Sequence, residues 1–278
     1  MKNRFALSVA LAASMTMAGT SAALAQDEAE AEDTGMPPGL PTMADFGAVD
    51  RHVDVADRSL EDWAHDMMLW ANGSKDNDVI STGDCTVGQD GPVFFLQNTW
   101  LGEVLVLDCT IPADTYILAL PGGGFGFNTE EDETAEDLDD MGLLMGQWFS
   151  DPEIIVDGRQ IPVGPSSWIH REPFEFTIPE NNVWDYPAAG LETLAGYGGW
   201  FVMLEPLEPG EHTIILADDS SGPAFVRDDE VIYSTGTAYA VYNITVPEPE
   251  AAEDDMSEDE ATDDEAEDAE AEDAESTE

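Results

Sequence analysis

Apolar positions recur with two different periods along this chain, and the periods divide it into helices and strands. Leu60, Trp63, Met67 and Ala71 fall at helical spacing, with Ala64 and Met68 beside them, which predicts a helix with one apolar stripe. Ser59 stands where an N-cap is needed, Glu61 and Asp62 place negative charge in the first turn, and Asn72-Gly73 is a fitting stop. A second helix is predicted over 131–148, where Leu138, Met141, Met145 and Trp148 form a stripe that reads as core. Elsewhere the segments are short and rich in β-branched and aromatic residues: 93–96, 104–109, 115–120, 153–156, 174–178, 200–205, 212–217 and 237–246. Turn signals separate them at Asp90-Gly91-Pro92, Leu101-Gly102, Asp157-Gly158, Pro209-Gly210 and Ser221-Gly222-Pro223. Asp157-Gly158 lies between two apolar runs and predicts a hairpin. Many short strands without βαβ alternation predict an all-β fold, an antiparallel β-sandwich of jelly-roll type with two accessory helices.

Charge refines this picture. The chain has 61 acidic residues against 8 basic ones, a net charge of −53. Residues 248–278 hold 18 carboxylates and no Lys, Arg or aromatic residue. Such a tail cannot bury enough apolar surface to offset its ordering entropy, so a disordered polyanion is expected there, binding cations loosely. Residues 26–50 begin with an acidic run and continue through Met36-Pro37-Pro38-Gly39-Leu40-Pro41, which reads as a linker. The remaining 51–247 stretch carries most of the aromatics and is long enough for one buried core. Nucleic acid and anionic lipid surfaces are repelled by a chain of this charge.

The first residues, Met1-Lys2-Asn3-Arg4, precede an apolar run that ends in Ala23-Leu24-Ala25. That is the layout of a bacterial secretory signal peptide, with cleavage expected after Ala25. Its interruption by Ser, Thr and Gly favours cleavage over retention as a membrane anchor. The mature chain is therefore expected to be periplasmic or released, with no membrane attachment. Two cysteines, Cys85 and Cys109, lie in the central region, and an oxidising compartment favours a bridge between them. Two free thiols or half of a metal site are the competing readings, although no Cys-x-x-Cys pair is present.

Several stretches invite chemistry. Pro121-Gly122-Gly123-Gly124-Phe125-Gly126-Phe127 resembles a phosphate loop, but it lacks the Gly-Lys-Ser/Thr ending, and Glu130-Glu131-Asp132-Glu133 would repel phosphate. A flexible strand-to-helix connection is expected there. Ser166, Ser167 and His170 are close in sequence without a Gly-x-Ser-x-Gly elbow. His52, His65, His170 and His212 are scattered and make no zinc pattern. The expectation is no cofactor; a structural calcium ion is the alternative that so many carboxylates leave open. The loop with Asn181, Asn182, Trp184 and Tyr186 sets aromatic faces beside amides, a combination suited to sugar rings, or else these rings pack inward.

Asp84-Cys85-Thr86-Val87-Gly88-Gln89-Asp90-Gly91-Pro92-Val93-Phe94-Phe95-Leu96, followed by Asp108-Cys109-Thr110-Ile111-Pro112, resembles a group of uncharacterised secreted bacterial β-rich proteins. These carry a Gln-x-Gly-Pro-Val-aromatic-Phe-Leu strand and a Cys-x-Val/Ile-Pro segment. The resemblance covers roughly residues 60–247; it implies one secreted β-rich domain and brings no activity with it. The expected function is a non-catalytic, structural or interaction role at the envelope or outside it. The alternative is a glycan-binding module built on Trp184 and Tyr186, and behind it a polysaccharide hydrolase or lyase using two facing carboxylates. The acidic surface also predicts a salt requirement, since ions screen self-repulsion. The melting temperature is expected to rise between about 10 mM and 1 M salt; a flat profile would contradict this.

Overall fold

The computed structural model describes residues 41–99, 104–128, 134–187, 189–227 and 230–249, with the side chains of 221–235 left aside. The export signal, the cleavage point after Ala25, the acidic run that follows it and the tail from 250 onward lie outside the described residues. Among the described residues nine strands form two sheets. The first holds β1 (Val93–Gln97), β3 (Tyr116–Phe127), β7 (Glu192–Leu204) and β6 (Trp168–Thr177), in the order β1-β3-β7-β6. The second holds β2 (Val104–Thr110), β9 (Glu230–Val246), β8 (Gly210–Arg227), β4 (Phe149–Val156) and β5 (Arg159–Ile161), in the order β2-β9-β8-β4-β5. One apolar core draws residues from both sheets, among them Leu96, Ile117, Leu118, Ile154, Leu216 and Tyr242. The Tyr242 hydroxyl donates to the Gln97 carbonyl at 2.5 Å and ties the layers together.

The sandwich is β-rich as expected, but its sheets are mixed. β1 pairs with β3 and β2 pairs with β9 in parallel register. The chain makes β1 in the first sheet, crosses to the second for β2, and returns for β3 running the same way as β1. Parallel neighbours need such a crossover, whereas a hairpin would have made them antiparallel. The Asp157-Gly158 hairpin forms between β4 and β5. Ser221-Gly222-Pro223 does not turn the chain: it lies inside β8, which pairs with β9 through a bulge between Pro223 and Phe225.

Helix α1 (Leu60–Ala71) follows the predicted stripe, and Ser59 Oγ accepts from the Asp62 N–H at 3.2 Å. Trp63 and Trp70 meet Phe95 of β1, and their indole N–H groups donate to the Val55 and Val87 carbonyls, each at 2.9 Å. A short α2 (Val79–Thr82) leads toward Cys85. α3 (Ala135–Trp148) starts at Thr134, whose hydroxyl forms a reciprocal capping box with Asp137. Residues 41–50, read from the sequence as linker, hold a buried Ala48 bridged to Leu204, while Met43, Phe46 and Val49 pack on the core.

The glycine run is the largest departure from the sequence reading. It is the interior of β3, not a loose connection. Gly124 and Gly126 pair with Gly198 and Gly196 of β7, and these four share one face because strand residues alternate sides. α3 lies on that face. A Cβ on Gly198 would sit 2.2 Å from the Gly142 carbonyl oxygen, and one on Gly126 would meet Met141 Cε at 2.1 Å. Phe125 and Tyr197 turn to the opposite face, where His65 of α1 stacks on Tyr197 with centroids 6.1 Å apart. The first sheet is thus covered on both sides. Gly196 and Gly198 let the α3 backbone come close, and Gly124 and Gly126 make room for the Met145 and Met141 side chains. Gly198→Ala is expected to destabilise the fold by about 1–3 kcal/mol through overpacking, while Gly146→Ala, whose Cβ would meet the Trp168 ring at 3.1 Å, costs less; the urea midpoints of the two variants measure the difference.

Candidate functional site

Cys85 and Cys109 are bridged, with Cα atoms 5.9 Å apart. The bridge joins the segment ahead of β1 to β2 and so links the two sheets. Gln89 reinforces it: its amide donates to the Cys85 and Phe95 carbonyls at 3.2 and 2.9 Å, and its oxygen accepts from the Phe95 N–H at 3.0 Å. The Gln-x-Gly-Pro motif therefore has a structural task of ordering the entry to β1.

The aromatic loop is stitched to the turn after α1. Asn182 is buried, and its amide donates to the Pro179 and Tyr186 carbonyls at 3.1 and 3.0 Å while accepting from the Tyr186 N–H at 2.9 Å. Asn181 is exposed and donates to Asp76 at 3.1 Å, and Lys75 pairs with Asp185. Tyr186 is half-buried, edge-on to Phe127 with centroids 5.5 Å apart, and Trp184 is half-buried too. Trp168 packs instead against Trp200, at 5.1 Å, and Tyr197 is fully buried. The Asn182 amide thus acts within the loop and the Asn181 amide ties it to Asp76, while Trp168 and Tyr197 belong to other packing groups.

Ser166, Ser167 and His170 make separate contacts. Ser167 Oγ accepts from the Gly164 N–H at 3.4 Å, and His170 Nε2 faces Asp139 of α3 at 3.1 Å. Among the described residues no three His, Cys, Asp or Glu side chains converge in a metal-like group.

Four ionisable groups stand out. Asp218 of β8 is buried at the junction of the sheets, beside Gly122 of β3, and accepts from Asn98 Nδ2 at 3.0 Å. Burial, helped by the neighbouring Asp219 charge, pushes its pKa up to about 7. His212 has an acceptor at each ring nitrogen, Asp157 Oδ2 at 2.7 Å and the Glu208 carbonyl at 2.8 Å. A ring with two acceptors must donate twice, which makes it an imidazolium. Partial burial opposes that charge, but the two acceptors outweigh it and the pKa is raised. For Asp157, burial is likewise outweighed by donation from His212 and the Thr213 N–H, and its pKa falls. His65 goes the other way: burial and the Arg171 charge lower its pKa.

Sequence reasoning missed the outer face of the second sheet. The register aligns Ala217, Tyr239 and Val104 in one row across β8, β9 and β2, and Ile155, Ile215, Val241 and Val106 in the next, across β4, β8, β9 and β2. Val104 is 70% exposed and Val106 59%. Their neighbours Leu107 and Cys109 point to the core. A signal was there to be used: Val104-Leu105-Val106-Leu107 is apolar on both strand faces, a pattern of strands covered on both sides.

No family model and no curated protein matches the chain. It is similar to a chain of the complex of PbICP-C with falcipain-2, at 9% identity and a TM-score of 0.22, over 56% of this chain and 99% of that one. It is also similar to the cysteine protease inhibitor EhICP2 from Entamoeba histolytica, at 10% identity and a TM-score of 0.16, over 55% of this chain and 95% of that one. Likenesses this slight carry no argument about function.

The buried groups give a pH dependence with a definite sign. The raised Asp218 contributes stability that is complete below about pH 4 and is lost as pH rises through about 7. The His212 contribution is complete below about pH 6.5 and is lost as pH rises through its raised folded value. His65 opposes both, since its contribution is kept at neutral pH and lost as pH falls below about 6.5. Asp218→Asn is expected to stabilise the protein at about pH 8 but not at about pH 4. His212→Gln is expected to cost more at about pH 5 than at about pH 8. Urea midpoints at these values check both signs.

Proposed function

We propose that this chain is an exported, non-catalytic interaction domain that presents the outer face of its second sheet to a protein partner. The observation that carries the reading is the apolar strip across four strands, with Val104 and Val106 exposed at 70% and 59%. Contiguous apolar surface on a soluble domain is costly and marks interaction sites. Here it sits on a chain with a net charge of −53, where exposed valines are the exception. The Cys85–Cys109 bridge supports an oxidising compartment, in keeping with the leader at residues 1–25. No helix among the described residues is long and apolar enough to cross a membrane.

Placing a photo-crosslinking residue at Val106 in the producing cell tests this. A discrete protein adduct is expected from Val106 and none from Glu136, an exposed site on α3. Equal adduct patterns from the two positions would refute the reading.

A further inference from the structure

We infer that the partner on this face is a basic polypeptide segment that docks as an added strand along β2. The inference rests on the reading of the face as a contact surface and adds the chemistry of its occupant. Among the described residues β2 ends its sheet, with β9 as its one neighbour in the strand order. A strand at a sheet edge offers backbone donors and acceptors to an incoming strand. An added strand extends the two apolar rows past Val104 and Val106, so every second side chain of the partner has an apolar surface to cover.

The rim fixes the charge of that partner. Asp108, Glu153, Asp219 and Glu211 are exposed around the strip. Each is hydrogen-bonded to a neutral side chain: Asn243 at 2.8 Å, Gln160 at 3.3 Å, Thr237 at 2.7 Å and Thr245 at 3.1 Å. Among the described residues none of the four is paired with Lys or Arg. Arg51 pairs with Glu61, Arg58 with Asp66, Lys75 with Asp185 and His212 with Asp157, and Arg159 of β5 donates to the Asp45 carbonyl. An apolar strip ringed by carboxylates without a Lys or Arg partner complements a strand that alternates aliphatic with Lys or Arg side chains. A second copy of this chain would bring a like-charged rim against this one.

The test uses the mature full-length chain and two synthetic peptides of equal length and charge, one alternating valine with lysine and one alternating serine with lysine. At about 0.15 M salt the valine peptide is expected to bind at least about tenfold more tightly, as burial of even one valine side chain implies. V104S/V106S keeps every carboxylate and is expected to abolish that preference, with its melting temperature reporting the fold. D108N/E153Q is expected to weaken both peptides and to reduce the salt dependence of binding. Equal affinity of the two peptides for the native chain would overturn the inference, and an adduct at Val106 would still leave the contact surface standing. Sedimentation that shows a native dimer converted to monomer by V104S/V106S would overturn it as well, by making a second copy the occupant.

Discussion

The β3–β7 pair is buried from both sides, and that double burial governs the layout of the domain. On one face Phe125 and Tyr197 meet Phe174 and His65 beneath α1. On the other, Gly122 approaches Asp218 of β8, while Gly124 meets Met145 of α3 and Phe149 of β4. A strand pair sandwiched this way must alternate large residues, which fill the α1 side, with residues that have no side chain, where a helix backbone comes close. The glycines of β3, β7 and α3 are the two halves of one contact, and neither half has a reason without the other.

The second sheet has the opposite problem. Its inner face is spent on the shared core, its outer face meets no helix among the described residues, and its strands carry apolar side chains on both sides. The acidic residues keep the surroundings hydrated, and Val104 and Val106 are the most exposed large apolar side chains among the described residues. Arg51, Arg58 and Lys75 lie in the segments that flank α1, where Arg51 ties Glu61 to the Trp168 carbonyl, while Arg159 of β5 in the second sheet donates to the Asp45 carbonyl.

Buried polar groups are arranged on the same plan. Asp218 lies where the sheets meet, and Asn98, which donates to it, also donates to the Pro121 carbonyl at 2.6 Å. A carboxyl that holds its proton near neutrality can sit there at modest cost, whereas an ionised one cannot. His212 and Asp157 form a different device at the surface, a charged pair that pins the β4–β5 turn to the start of β8. The two respond to acid through separate chemistry in separate places.

Local signals settled much of this protein. The spacing of Leu60, Trp63 and Met67, the Ser59 cap, the Asp157-Gly158 turn and the run of short β-branched segments are written in neighbouring residues, because helix periodicity and turn chemistry are short-range. The cysteine pair was legible for a similar reason, there being two thiols and one pairing. Tertiary structure alone decided the parallel pairing of β1 with β3 and β2 with β9, since a crossover between sheets leaves no mark on the strands it connects. It alone turned Pro121–Phe127 from a loop into a strand, because glycine reports freedom in isolation and close approach only when the opposing backbone is known. It alone assembled the outer apolar strip, whose seven residues come from four strands spread between Val104 and Val241 and become neighbours through register.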